Sequence, residues 1–220
     1  MHILLTGATG LLGQGVLNAC LDAADVTRVT VLTRSAIDRP HPKLHEVRLE
    51  DFAQAATVAP QLADIDACFY CAGAPPIGTA EATYRHVTLD LTLAVARAYA
   101  SANPQGRFFY ISGANSDPDS RLMPLRIKGE TEAALQALPI TTVMVRPGGI
   151  LPEEGTHSPH GLLRAMHTLA APLQSLIVKN VPAAATTNGA IGRAMIALVR
   201  TPNPPRVVEN REVNALGSPH

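Results

Sequence analysis

The run Ile3-Leu4-Leu5-Thr6-Gly7-Ala8-Thr9-Gly10-Leu11-Leu12-Gly13 decides how the rest of the chain is read. An apolar stretch leads into three glycines at three-residue spacing, and an amphipathic segment, 12–21, follows. The physics predicts a short buried strand, a tight turn at Gly7 and a helix packed closely on that strand at Gly13. Gly10 lets backbone N–H groups come close to a ligand. The free N–H groups and positive dipole end of the helix then face whatever lies over the turn, which suits a pyrophosphate. A plain strand–turn–helix would not need glycine at all three positions. The stretch therefore points to a dinucleotide site formed by Gly7, Ala8, Thr9, Gly10, Leu11, Leu12 and Gly13.

Composition narrows the field. At 220 residues the chain suits one sizeable domain. Lysine plus arginine equals aspartate plus glutamate, 18 each, so no net field draws nucleic acid or an anionic membrane. No apolar run has the length of a membrane span, and the N-terminus enters a strand rather than a signal peptide. A cytoplasmic protein is expected. Three cysteines cannot close a disulfide framework, in keeping with a reducing compartment. Cys68 and Cys71 resemble a redox pair. They lie in one strand, however, where residues three apart face opposite sides and should not meet.

Strand and helix patterns alternate along the chain, which predicts an α/β fold built on a doubly wound parallel sheet. Strands are expected at 29–33, 45–49, 67–71, 108–112 and 140–145. Helices are expected at 52–62, 81–102 and 125–138. Beyond Arg146-Pro147-Gly148, proline, glycine and histidine break the pattern. Helical stretches at 162–175 and 191–200 follow, then short strands at Val207-Val208 and Glu212-Val213. The expected organisation is a dinucleotide-binding core, 1–150, with a small C-terminal lobe, 151–220, closing over its substrate side.

The nucleotide's identity should be written after strand two. A carboxylate there would bind the ribose 2′-hydroxyl of NAD, but the chain reads Leu32-Thr33-Arg34-Ser35. A guanidinium forms charge-assisted hydrogen bonds to a 2′-phosphate, so Arg34 favours NADP(H), with NAD still open. The alternative is a solvated loop arginine. Asp51 and Phe52 would suit the adenine, as an acceptor beside a flat apolar wall, although Asp51 is equally placed to cap the next helix. Cys71, Ala72 and Gly73 form a small, flexible turn where the chain must pass close to the cofactor.

Several of these features occur in order: Thr6 to Gly13, the Cys71-Ala72-Gly73 turn, Ser112, Lys128 and Arg146-Pro147-Gly148. Together they resemble the short-chain dehydrogenase/reductase superfamily, in particular its atypical branch with a TGxxGxxG fingerprint. The small bacterial proteins of the NAD-dependent epimerase/dehydratase family are the most similar. Asp90 to Arg97, Lys128 to Glu132 and Glu209-Asn210-Arg211 share that likeness, so it spans nearly the whole chain. The resemblance implies a Rossmann fold, an oxidoreductase or epimerase-like activity on a small carbonyl or alcohol, and cofactor contacts from Lys128, Pro147, Gly148 and Ile150.

Active members of that superfamily use a Ser, a Tyr and a Lys, with Tyr four residues before Lys. By resemblance Ser112 and Lys128 fall in the catalytic places, but the Tyr position is Pro124, which has no proton to give. Losing a positioned general acid typically costs about 10²–10⁴-fold in rate. Tyr110, Tyr84, His157 and His160 are weak substitutes, and Asn115 and Ser116 could orient a substrate or simply form a turn. A non-catalytic NADP(H)-binding sensor is thus the competing expectation. Histidines at zinc-ligand spacing, a G-x-S-x-G elbow and a nucleoside triphosphate loop are all missing. The small, apolar face of 91–102 would permit a homodimer and equally fits burial within one chain.

Overall fold

The computed structural model describes residues 1–153, 156 and 184–218. Its centre is β1, His2–Thr6, in which Ile3, Leu4 and Leu5 are wholly buried. A strand covered on both faces has no polar side, which is why it reads as a continuous apolar run. Around it stand β2 (Arg28–Thr33), β3 (Leu44–Arg48), β4 (Ala67–Tyr70), β5 (Arg107–Ile111) and β6 (Thr141–Arg146).

A later strand, Val207–Glu209, pairs with β6 and completes a seven-stranded sheet. Numbering the strands in chain order makes it β9, after the small parallel pair β7 (Gly149–Leu151) and β8 (Ala185–Thr187). The order is β3-β2-β1-β4-β5-β6-β9, and every pairing is parallel. Chain order reverses between β1 and β4, which opens a crevice outside their carboxyl ends. This is the doubly wound α/β fold expected of the sequence.

Two apolar layers hold it. On one face α1 (Leu11–Asp22) packs beside α5 (Asn188–Arg200), over Ile3, Leu5, Phe69 and Val143. A Cβ on Gly192 would come within 2.7 Å of the Ala19 Cβ, so glycine there lets the two helices touch. The other face carries α3 (Leu91–Ala102) and α4 (Met123–Gln136) with a 3₁₀ helix at Phe52–Leu62, over Leu4, Cys68, Tyr70 and Phe108. Cys68 belongs to this second layer, whereas Cys71 packs against the first, so the two thiols face apart as expected.

Two helical readings hold in detail that the sequence did not show, and one strand is corrected. Residues 52–62 form a 3₁₀ helix kinked at Gln54, with Pro60 inside it. The long helical stretch expected over 81–102 is helical throughout, as a short α2 (Glu81–Arg85), a π-helical turn (His86–Asp90) and α3. Glu212-Val213 is helical, within α6 (Asn210–Gly217), because Glu209 and Glu212 form a reciprocal capping box that starts a helix. The helix expected at 162–175 lies outside the described residues. Among the described residues no helix is long and apolar enough to cross a membrane.

Candidate functional site

At the carboxyl end of β1 each glycine performs a different steric task. Gly7 has φ +71°, and a Cβ there would lie 2.7 Å from the backbone of Cys71 and Ala72. The Thr6 hydroxyl accepts from the N–H groups of Cys71 (3.1 Å) and Ala72 (3.2 Å), which pins the two loops together. A Cβ on Gly13 would sit 2.0 Å from the Gly7 carbonyl oxygen, so α1 can approach the turn only with glycine at that position.

Gly10 differs from both. Its φ is −80°, and the nearest atom an added Cβ would meet is 3.4 Å away. Folding does not demand glycine there, but close approach of a ligand would. Gly10 also caps α1 without a side chain, and the first helical turn holds no acidic residue. The opening N–H groups of α1 are thus left to whatever lies over them. This is a cradle that a Cβ would fill, and its donors fit a pyrophosphate.

The crevice continues as a groove of about 730 Å³. Gly7, Ala8, Thr9 and Gly10 form its floor, Arg34, Asp51 and Phe52 line it at the ends of β2 and β3, and Cys71, Ala72 and Gly73 line it at the end of β4. Arg34 is exposed and makes no ion pair among the described residues. Its loop is shaped by Thr33, whose hydroxyl donates to the Ser35 carbonyl (2.7 Å) and accepts from the Ser35 N–H (3.3 Å). Asp51 lines the groove while its carboxylate accepts from Ala53 N–H at 2.9 Å, which is the anticipated helix cap. Burial pushes the Cys71 thiol up, which leaves it uncharged.

Sequence reasoning overlooked part of the wall. His86, Val87 and Leu91 face the groove from the π-helical turn and the start of α3, and Glu50 adjoins Asp51. Val87 and Leu91 fit helical spacing, so they read as ordinary packing residues. The extra residue of a π turn, which often marks a functional site, leaves no periodic signal. The His86 ring approaches the Asp90 carboxylate at 3.3 Å.

The remaining expected site residues lie elsewhere. Leu11, Leu12 and Gly13 are the first turn of α1 and directly follow Gly10, the last residue of this run to line the groove. Ser112 is buried just past β5, and its hydroxyl donates to the Ser116 hydroxyl at 2.9 Å. The Lys128 ammonium donates to the Ser112 carbonyl at 2.6 Å, and burial pulls its pKa down to about 8 against the raising influence of Glu132. Neither residue lines the groove.

Pro124 stands in the first turn of α4, where its fixed φ helps start the helix. Tyr84 and Tyr110 are core residues whose phenols burial pushes up. His157 and His160 lie outside the described residues. Asn115 adopts a left-handed φ of +61° in the turn between Ser112 and Ser116.

The segment after β6 is committed to the fold. Arg146 holds the buried Glu132 carboxylate through two contacts, at 2.9 and 2.6 Å, and reaches Glu209 at 3.3 Å. The Pro147 carbonyl accepts from Ala114 N–H at 3.1 Å, and Gly148 N–H donates to the Asn210 side chain at 2.7 Å. Ile150 pairs with Thr186 in the small sheet.

Fold and groove together define an α/β protein of the Rossmann type. The profile of the NAD dependent epimerase/dehydratase family matches residues 3–134, and the chain belongs to that family. Leucinostatins biosynthesis cluster protein T of Purpureocillium lilacinum is 30% identical over 116 residues, 51% of this chain and 42% of the relative. Protein fmp52, mitochondrial, of Emericella nidulans is 29% identical over 155 residues, 67% of this chain and 66% of the relative. The chain thus spans less than two thirds of either relative.

Among solved structures, a short chain dehydrogenase from Burkholderia cenocepacia in complex with NADP superposes with a TM-score of 0.65 at 18% identity. The match covers 97% of this chain and 91% of the other. UDP-glucuronic acid 4-epimerase from Bacillus cereus, in complex with NAD, gives 0.67 at 16% identity, with 94% and 76% covered. Identities this low speak for the fold alone.

Proposed function

We propose that this chain binds NADP(H) in the groove and serves an oxidoreductase or epimerase-like reaction on a small carbonyl or alcohol. The observation that carries the reading is Gly10, a glycine the fold does not need, set at the uncapped start of α1 in a groove that also presents Arg34. The N–H groups opening α1 would hold the pyrophosphate, and the Arg34 guanidinium would pair with the 2′-phosphate. Asp51 and Phe52 would receive the adenine. When bound, the nicotinamide supplies the hydride donor or acceptor. The family and the nucleotide-bound neighbours support this reading.

One observation favours a second reading, in which the nucleotide is held without turnover and reported to a partner. Pro124 fills the Tyr position, while outside the groove the Ser112 hydroxyl donates to Ser116 and the Lys128 ammonium to the Ser112 carbonyl. A panel of aldehydes, ketones and sugar nucleotides separates the two readings. Oxidation of NADPH above background, abolished by Lys128→Ala with cofactor affinity intact, supports the enzyme. Tight NADPH binding with no turnover across the panel supports the sensor.

A further inference from the structure

The Asn188 side chain is fully buried at the start of α5, and all its hydrogen-bonding capacity is used. Its oxygen accepts from the N–H groups of Glu153 and Gly189, each at 2.9 Å. Its amide nitrogen donates to the Leu11 carbonyl at 2.8 Å and to the Thr156 hydroxyl at 2.9 Å. Donors meet only acceptors on both sides, so the amide has one orientation. Gly15 makes the room, since a Cβ there would lie 2.3 Å from the Asn188 Cγ.

Leu11 is the first residue of α1, and its carbonyl belongs to the same peptide unit as the Leu12 N–H. No peptide bond among the described residues is cis, and in a trans unit the two groups point in opposite directions. Fixing the carbonyl from one side therefore aims the N–H towards the other, out of the helix start and over the glycine turn. Donation to the carbonyl also polarises the amide and strengthens its N–H as a donor.

We infer that Asn188 is a positioning residue for the anion cradle: it orients and polarises the Leu11–Leu12 peptide so that the Leu12 N–H meets a pyrophosphate oxygen. This inference rests on the groove holding a dinucleotide. It also explains why a buried, fully bonded amide stands 177 residues along the chain from the turn it touches.

Asn188→Leu keeps the branched shape but removes the amide's donors and acceptor, and Gly15→Ala displaces the amide from the other side without altering residue 188 itself. Calorimetric titration of wild type and both variants should use NADPH and adenosine 2′-monophosphate, which shares the adenine and 2′-phosphate but lacks a pyrophosphate. A charge-assisted hydrogen bond lost from the cradle predicts NADPH binding about tenfold weaker, with the monophosphate changed less than about twofold.

Equal losses for both ligands, or none for NADPH, overturn the inference. The ligand-free chain gives an independent reading, because the Leu12 amide proton resonance should move in Gly15→Ala. If it stays in place, Asn188 does not orient that peptide. A wild type that binds neither nucleotide refutes the dinucleotide reading itself and leaves the Leu12 resonance to decide the role of Asn188.

Discussion

A Cβ placed on Gly13 would lie 2.0 Å from the carbonyl oxygen of Gly7, closer than any van der Waals contact permits. The first turn of α1 and the turn after β1 are therefore locked together by the absence of one methyl group. Gly10, between them, has no such constraint. Three glycines in one run thus answer to two different demands, folding and ligand approach.

Gly13→Ala should be strongly destabilising, by about 3 kcal/mol or more, because the clash is with backbone and not with a movable side chain. Gly10→Ala should cost at most about 1 kcal/mol, the difference between glycine and alanine at an N-cap. That alanine should still weaken NADPH binding by about tenfold or more, since its methyl enters the space the pyrophosphate needs. Urea denaturation and calorimetric titration of both variants check the split. Equal instability of the two, or unaltered NADPH affinity in Gly10→Ala, would contradict it.

Lys128 should titrate near 8, far below the ordinary lysine value of 10.5, because burial disfavours its charge. Between those values the unfolded chain holds the proton and the folded one has released it. Stability contributed through this residue therefore rises with pH across that window and is poorest below pH 8. Nitrogen-15 titration of the lysine ammonium groups should find one midpoint near 8 that Lys128→Met removes. The same substitution should flatten the rise in the urea midpoint between about pH 8 and pH 10. An ordinary midpoint for Lys128 would show that it is more hydrated than its position suggests.

Arg146, its side chain 21% exposed, covers the Glu132 side chain, which is 5% exposed. Arg146→Leu leaves that charge without its guanidinium and should cost about 3–5 kcal/mol. Replacing Glu132 by leucine as well should recover much of that loss, because no orphaned charge remains. The double-mutant cycle is read from chemical denaturation. If the double variant is as unstable as the sum of the singles, the pair does not act as a unit.

Much of the fold was legible because its central strands are buried on both faces. Ile3 to Leu5 and Phe108 to Tyr110 read as unbroken apolar runs, and the glycine turn explains itself sterically. The π-helical turn was hidden, since Val87, Leu91 and Val95 satisfy an ordinary helical spacing. The partnership of Val145 with Val208 was equally hidden, because pairing across some sixty residues leaves no local mark. Glu212-Val213 read as a short strand, but the reciprocal capping box of Glu209 and Glu212 starts a helix there.

The site divides in the same way. Floor and nucleotide-side residues were readable from their types and spacing. The hydrogen bonds joining Ser112, Ser116 and Lys128 arise from tertiary packing that no motif records.

The central claim is that Gly7 to Gly13 and Arg34 hold a dinucleotide bearing a 2′-phosphate. Its most direct test is a thermal-shift titration of the wild-type chain and Arg34→Asp with NAD, NADH, NADP and NADPH. A ligand at about 100 times its Kd stabilises the native state by about 2.7 kcal/mol, a readily measured shift. NADP and NADPH should stabilise the wild type more than NAD and NADH do, with the preference lost or reversed in Arg34→Asp. No shift with any of the four, or a preference that survives Arg34→Asp unchanged, would contradict it.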